Sequence, residues 1–244
     1  MKRRSILLIG AIVILVVIGG GVVYAARFAS AVNQPHTAPG PVATSADTTP
    51  SAAATTSSTS RPLAALKTCQ VVPAQTTASY SVFENLIFQN KPNNDAIGTT
   101  HDVKGNFNIR TGASPIVEGM HITVNLSTLQ TSEPKRDQYV RQNALQTDTY
   151  PDATFGSTST QGLPVNYSEG DNVHFQLIGN LTMHGKTNKE TFDVQGQVEN
   201  NMVTGKATST IYMTDFGIQP PDLANIAVAQ NKVLITIIFT AKKA

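Results

Sequence analysis

The sequence predicts an all-β domain, either an antiparallel barrel or a sandwich of about eight strands. Three observations lead to this fold class. Apolar and polar residues alternate with a period of two along successive runs, as in strands that are buried on one face. Turn signals such as KPNND, GLP and HGKTN separate the runs. The connections are short and mostly lack helical periodicity, which is typical of antiparallel barrels and sandwiches.

The apolar faces of these runs supply the candidate interior. In DVKGNFNIR, for example, Val103, Phe107 and Ile109 share one face, opposite Lys104 and Asn106. Such alternation is expected both of a barrel packed solid and of one with a cavity, so both alternatives stay open. The full set of apolar candidates is Tyr80, Val82, Val103, Phe107, Ile109, Met120, Ile122, Val124, Leu126, Phe155, Val173, Phe175, Leu177, Phe192, Val194, Ile211 and Met213.

A charged insert, TSEPKRDQYVRQNALQTDTYPDATF, interrupts the strand pattern at residues 131–155. Within it, residues 132–145 are predicted to form a short helix with Pro134 in the first turn and Ser132 or Thr131 as the cap. Its charged residues have three interpretations: they anchor the insert to neighbouring loops, contact a polar or phosphorylated head group, or take part in catalysis. The rim candidates are Arg136, Asp137, Tyr139 and Arg141 here, and Asp215 further along the chain.

A second break, GIQPPDLANIAVAQN, follows the predicted strand ATSTIYM. Asp222 is expected to cap a single helical turn after Pro220 and Pro221. Because both breaks come directly after strands, both are expected to fold across one end of the barrel. Asp215-Phe216-Gly217 matches a kinase metal-binding tripeptide but lacks the glycine-rich loop and catalytic loop that accompany it, and no other catalytic motif stands out. The sequence therefore favours a protein that is not an enzyme.

The amino-terminal part of the chain divides into two further segments. Residues 5–26 are 22 uncharged residues, enough for a membrane-spanning helix, and Lys2, Arg3 and Arg4 precede them. We expect residues 1–27 to be an uncleaved anchor in a bacterial-type cell membrane, with the carboxyl-terminal domain outside the cytoplasm. A cleavable signal peptide is the alternative and predicts secretion. Residues 28–64, rich in Ala, Thr, Ser and Pro, are predicted to be a disordered linker before the domain at 65–244.

Charge and cysteine content exclude several classes of partner. The domain carries 13 basic and 15 acidic residues with no basic cluster, so no nucleic-acid partner is expected. Cys69 is the single cysteine, which excludes an intrachain disulfide and a cysteine-ligated metal site. It is expected to be buried and inert or to pair between two chains, so a homodimer stays open. No metal site is predicted in the domain, because no two of its histidines are spaced as ligands on one face. The four histidines of the domain are His101, His121, His174 and His184.

Residues 122–159, ITVNLSTLQTSEPKRDQYVRQNALQTDTYPDATFGSTS, resemble the signature of the YceI-like family of exported lipid-binding proteins. GNLTMHGKTNKETFDV and TDFGIQPP are similar to the elements that follow in that family, and the likeness covers about 69–241. The resemblance implies a lipocalin-like antiparallel barrel of eight strands that holds a polyisoprenoid chain. The family's Arg-Asp pair, Tyr-Pro pair and Asp-Phe-Gly element map to Arg136-Asp137, Tyr150-Pro151 and Asp215-Phe216-Gly217. The stretch ASYSVFENLIF departs from the family's Tyr-x-Ile-Asp strand with its following His-Ser, and Thr214 replaces a basic residue.

The resulting hypothesis is a membrane-tethered, extracytoplasmic lipid-binding protein. Its ligand is an isoprenoid-type amphiphile, a polyprenyl lipid or an isoprenoid quinone, held in an apolar barrel cavity without another cofactor. One alternative is a lipid-modifying enzyme that uses Arg136, Asp137 or Asp215. Another is a structural surface domain with a filled core, for which the cavity is expected to be smaller than about 300 Å³.

Overall fold

The computed structural model describes residues 65–223 and 226–244. The predicted anchor at 1–27 and linker at 28–64 lie outside the described residues. Within the described part, no helix is long and apolar enough to cross a membrane. The strands are β1 (Lys67–Val71), β2 (Thr77–Leu86), β3 (Lys91–Thr100), β4 (Val103–Arg110), β5 (Ile116–Asn125), β6 (Asp152–Gln161), β7 (Val173–Met183), β8 (Lys186–Glu199), β9 (Met202–Tyr212), β10 (Asp222–Leu223) and β11 (Ala227–Lys243).

The strands form a closed antiparallel barrel. Eight of them follow one another around the ring in the order β1, β4, β5, β6, β7, β8, β9, β11, and β11 closes it by pairing with β1. All of these neighbours are antiparallel. The prediction of an eight-stranded antiparallel barrel is confirmed.

Two positions of the ring are each built from two consecutive strands. β1 and β2 both pair with β11 and are separated by a short 3-10 turn, Pro73–Gln75. β3 and β4 likewise continue one another, because β3 pairs with β2 and β4 pairs with β1. Apart from β2, the only backbone pairing of β3 within the described chain is an isolated bridge between Thr99 and Gln130. The barrel is therefore splayed on one side.

We call one end of the barrel the mouth. It is the end at which β2 and β3 meet in their hairpin. The mouth carries the tip of the β2–β3 hairpin (87–90) and the start of β11 at Ala227. It also carries the connection between β5 and β6 (126–151), which contains most of the charged insert and is called the insert from here on. The insert contains a 3-10 turn, Leu126–Thr128, then α1 (Pro134–Tyr139) and a π-helical turn, Val140–Ala144. A further 3-10 turn, Met213–Phe216, lies at the same end.

The core follows the predicted alternation. Along β7, for example, Phe175, Leu177, Leu181 and Met183 are buried while the residues between them are partly or fully exposed, except Gly179. Each such side chain contributes roughly 1.5–3 kcal/mol when it is fully buried. At the end opposite the mouth, the hydroxyl of the buried Tyr167 accepts a hydrogen bond of 2.7 Å from the backbone N–H of Val198.

Two local predictions were wrong. The N-cap of α1 is Glu133, and neither Ser132 nor Thr131 caps it; Pro134 does lie in the first turn. The hydroxyl of Thr131 donates instead to the carboxylate of Asp137, at 2.7 Å. This contact fixes the side chain before the helix begins.

Asp222 is also placed differently from the prediction. It caps no turn but begins the short strand β10, which pairs with β11. Proline disfavours helical backbone in the residue before it, and the carbonyl of Pro221 accepts from the N–H of Ala229 at 2.9 Å. The segment therefore runs extended along β11. The helical turn lies earlier, at Met213–Phe216, and ends at Gly217, whose φ of 72° favours glycine.

Candidate functional site

The interior of the barrel contains a large apolar cavity of about 890 Å³ beneath the mouth. A second cavity of about 110 Å³ lies toward the opposite end. Ile122 on β5 and Ile237 on β11 line both cavities and mark the partition between them. A cavity of the larger size falls within the range of roughly 300–1,000 Å³ that is typical of small-molecule sites. The barrel is therefore hollow rather than packed solid.

Every residue of the predicted apolar set lines one of these two cavities. Those on the large cavity are Tyr80, Val82, Ile122, Val124, Leu126, Phe155, Phe192, Ile211 and Met213. Those on the small cavity are Val103, Phe107, Ile109, Met120, Ile122, Val173, Phe175, Leu177 and Val194. Phe155 and Phe192 meet edge to face, with ring centroids 5.0 Å apart, an arrangement that aromatic pairs favour.

Near the mouth, the apolar lining gives way to a polar cluster centred on Glu84. Glu84 lies on β2 in phase with Tyr80 and Val82, so the period of the strand turns its side chain inward. One of its carboxylate oxygens accepts two hydrogen bonds. One comes from a guanidinium nitrogen of Arg136 at 2.6 Å, and the other from the side-chain amide nitrogen of Asn94 at 2.9 Å. A buried carboxylate needs such partners. The cluster connects β2, β3 and α1.

Tyr80 provides a neutral hydroxyl inside the cavity. Its ring lies over Gly98 on β3, where an added Cβ would be only 2.3 Å from ring atom Cε1, so a glycine is required there. Burial raises the pKa of Tyr80 to about 12; Arg136 lowers the pKa, and Asp137 and Glu84 raise it. The phenol is thus protonated at neutral pH. Within the described residues its oxygen has no hydrogen-bond partner, so the hydroxyl is free to contact a bound molecule.

The rim candidates separate into two groups. Arg136 and Tyr139 line the large cavity, whereas Asp137, Arg141 and Asp215 do not. The carboxylate of Asp137 is occupied by the N–H and hydroxyl of Thr131. Arg141 donates to the carbonyl of Leu129 at 3.2 Å. Asp215 is exposed to solvent.

The other residues carried over from the resemblance have packing contacts. The ring of Tyr150 lies 4.8 Å from that of His184 between centroids. Nδ1 of His184 is 3.2 Å from the carbonyl oxygen of Phe216, whose side chain is fully buried. These contacts hold the β7–β8 turn against the helical turn at Met213–Phe216.

Sequence reasoning missed Glu84 and Asn94, two of the three members of the polar cluster. The signal for Glu84 was present, because a charged residue stands at the apolar phase of a strand after Tyr80 and Val82. Asn94 carried no such signal, since it lies in a polar stretch, KPNND, that suggests only a turn. The apolar contribution of the insert, from Val140, Ala144 and Leu145, was also not predicted.

The fold and the cavity define the class as an eight-stranded antiparallel barrel with a hollow, apolar interior. The chain belongs to the YceI-like domain family, whose model matches residues 70–241. The resemblance seen in the sequence is thereby confirmed. No curated protein gives a significant match to the chain.

Several solved structures are similar to the chain, including two that match at least 70% of its length. One is BcnA of Burkholderia cenocepacia, with 18% sequence identity and a TM-score of 0.53; the alignment covers 70% of this chain and 99% of BcnA. The other is a polyisoprenoid-binding domain from Saccharophagus degradans implicated in plant cell wall breakdown, with 14% identity and a TM-score of 0.54. That alignment covers 75% of this chain and all of that domain. At these identities the likeness supports the fold alone.

Proposed function

We propose that this protein binds an isoprenoid-type amphiphile, a polyprenyl lipid or an isoprenoid quinone, in the large cavity. The observation that carries the proposal is the apolar cavity of about 890 Å³ beneath the mouth. Burying roughly 500 Å² of hydrocarbon there contributes about 12 kcal/mol before the cost of association. The description of the Saccharophagus domain as polyisoprenoid-binding supports the same ligand class.

The proposed location is the outer side of a cell membrane. Residues 5–26 would anchor the chain, and the basic residues Lys2, Arg3 and Arg4 would keep its amino terminus in the cytoplasm. The anchor would hold the domain close to the lipid phase in which isoprenoids dissolve. If the amino-terminal segment is cleaved, the domain is secreted.

The charges around the cavity favour an uncharged head group. Three acidic and three basic residues line it, so the lining has no net positive charge; they are Glu84, Asp95, Glu133, Lys91, Lys135 and Arg136. Arg136, the least exposed of these three cations, is already paired with Glu84. A phosphate placed beside this pair would meet a carboxylate as well as a guanidinium. A hydroxyl or quinone carbonyl would instead accept from the protonated Tyr80.

Binding is proposed rather than catalysis. The groups considered for chemistry, Arg136, Asp137 and Asp215, do not converge on one point of the cavity. Arg136 is paired with Glu84, and the carboxylate of Asp137 accepts a hydrogen bond from Thr131. Asp215 does not line the large cavity. A catalytic site needs an acid, base or nucleophile within reach of a bound substrate.

The test is to purify the full-length chain from its own membranes in mild detergent, extract it with organic solvent and identify the extract by mass spectrometry. Ala153→Phe, which points a ring into the large cavity, is expected to lower the bound isoprenoid at least tenfold. Ser159→Phe is the matched control, because Ser159 lies on the same strand, is exposed and lines neither cavity.

The head group is tested by competition among a polyprenol, a polyprenyl phosphate and a quinone of equal chain length. The uncharged ligands are expected to bind more tightly, and Tyr80→Phe is expected to weaken them about fivefold to tenfold. A protein that is repeatedly recovered empty and takes up none of the three would refute the binding function. Tighter binding of the phosphate would refute the uncharged head group only.

A further inference from the structure

Two hairpin tips at the mouth expose large apolar side chains. On the β2–β3 tip, Ile87 is 49% exposed and Phe88 is 85% exposed; on the β10–β11 tip, Ile226 is 59% exposed. The N–H of Ile87 donates to the carbonyl of Ile226 at 2.9 Å, so the two tips are joined. We call these three residues the tip residues. Exposed apolar groups that cluster in this way mark interaction sites.

The tip residues border the entrance to the large cavity. Leu86, directly before the first tip, lines that cavity, as do Ile226 itself and Ala227. Ile87 and Phe88 do not line it. The apolar surface therefore continues from the cavity wall to the outside of the barrel at this end.

We propose that the tip residues insert into the surface of a phospholipid bilayer, with the mouth of the barrel facing the lipid. This inference rests on the proposed function, because a ligand insoluble in water then enters the cavity directly from the membrane. Aromatic and aliphatic side chains at exposed tips bind the boundary between head groups and acyl chains. The exposed charges on the lining of the cavity are balanced, with Lys91 and Lys135 against Asp95 and Glu133, so the docking depends on the apolar tip residues rather than on charge.

A second copy of the chain fits this surface less well. A stable interface buries about 800 Å² on each partner, and three side chains at hairpin tips supply only a small part of that area.

The chain between the proposed anchor and the domain is long enough to let the mouth face the bilayer. The 38 residues from 27 to 64 span up to about 130 Å when extended, whereas β11, the longest strand with 17 residues, spans roughly 56 Å.

The experiment uses the full-length chain in vesicles of phosphatidylcholine and phosphatidylglycerol. Phe88→Cys is labelled with an environment-sensitive fluorophore, and quenching by lipids with nitroxides on their acyl chains is measured. Cys69 is fully buried and does not compete for the label. Val165→Cys is the matched control, because Val165 is 77% exposed and lies in the β6–β7 loop at the opposite end of the barrel.

The probe at 88 is expected to shift its emission to the blue and to be quenched at least threefold more than the probe at 165. Equal quenching at both positions would overturn the proposal. A shielded probe at 88 that depends on protein concentration but not on nitroxide lipids would indicate a second copy and would also overturn it.

A transfer assay separates this inference from the proposed function. Phe88→Asp with Ile87→Asp is expected to slow uptake of a polyprenol from vesicles about tenfold and to leave uptake from detergent solution unchanged, with the thermal unfolding of the variant as a folding control. Unchanged uptake from vesicles would overturn the docking surface. Failure of the unaltered protein to bind a polyprenol, a polyprenyl phosphate or a quinone from detergent would overturn the proposed function, whereas the fluorophore result would still decide the docking surface.

Discussion

A guanidinium nitrogen of Arg136 donates to the carboxylate of Glu84 at 2.6 Å, and this contact joins the helical insert to the inner face of β2 across the mouth. Both side chains are largely withdrawn from water. Removing one partner from such a pair leaves an uncompensated charge in a poorly solvated place. The stability of the mouth therefore depends on the pair.

The first prediction concerns that pair. Arg136→Met is expected to lower the free energy of unfolding by about 2–3 kcal/mol, because Glu84 keeps only Asn94 as a partner. Adding Glu84→Gln is expected to restore at least half of the loss. Arg141→Met is the control, since the side chain of Arg141 donates one hydrogen bond, to the carbonyl of Leu129, and its loss is expected to cost about 1 kcal/mol. Urea denaturation followed by circular dichroism measures all of these variants; equal losses for both arginines would contradict the prediction.

The second prediction concerns the contact between Tyr80 and Gly98. Gly98→Ala places a methyl group against the tyrosine ring and is expected to destabilise the domain by about 1–3 kcal/mol. In a Tyr80→Ala background the same change is expected to cost almost nothing. Gly156→Ala is the matched control, because no atom lies within 4 Å of the added Cβ and the backbone there is not left-handed. Thermal unfolding of the four variants measures these changes in stability.

The third prediction concerns the partition between the two cavities. Ile122→Ala together with Ile237→Ala is expected to join the cavities, so that the barrel accepts a ligand at least one isoprene unit longer. Each change is expected to cost about 2 kcal/mol of stability, at the low end for such truncations, because both side chains are only partly buried. Competition among polyprenols of graded length measures the limit. Ile235→Ala, on the large cavity alone, should leave that limit unchanged; a shift there would indicate general loosening.

The fourth prediction concerns alkaline pH. Burial raises the pKa of the Cys69 thiol from 9.0 to about 11, against a smaller lowering by the charge of Lys243. Well below pH 9 the thiol is protonated in both the folded and the unfolded state, so its contribution to stability is complete. Between pH 9 and 11 the unfolded chain releases the proton before the folded chain does, so stability falls by about 1–2 kcal/mol. Cys69→Ala is expected to flatten the slope between pH 9 and 10, below the range in which Tyr80 titrates. An identical slope in that variant would refute the assignment.

The alternation of apolar residues was sufficient to predict the lining of the barrel. Side chains two apart on a strand point to the same side whatever the strand pairs with, so Phe107 and Leu177 could be assigned to the interior from local sequence. The volume of the cavity could not be predicted in this way, because it depends on how far apart opposite walls lie. That distance follows from the number of strands and their tilt.

The polar cluster and the short strand β10 illustrate what local sequence leaves undetermined. Glu84 and Arg136 lie 52 residues apart, and only the closed barrel brings them together. Asp222 was expected to cap a turn because it follows two prolines, but its conformation is set by pairing with β11. Asp215 was a rim candidate by resemblance, and the structure places it on the outer surface, away from the cavity lining.

The last strand has a consequence for the order of assembly. β11 pairs with β9 along one edge and with β2 and then β1 along the other, and Lys243 lies opposite Cys69. The edge of β1 that pairs with β11 is therefore covered only after the chain has been synthesised through Lys243. Contacts between positions so distant in sequence make folding slow, and until they form, β1 and β9 present open edges that invite aggregation.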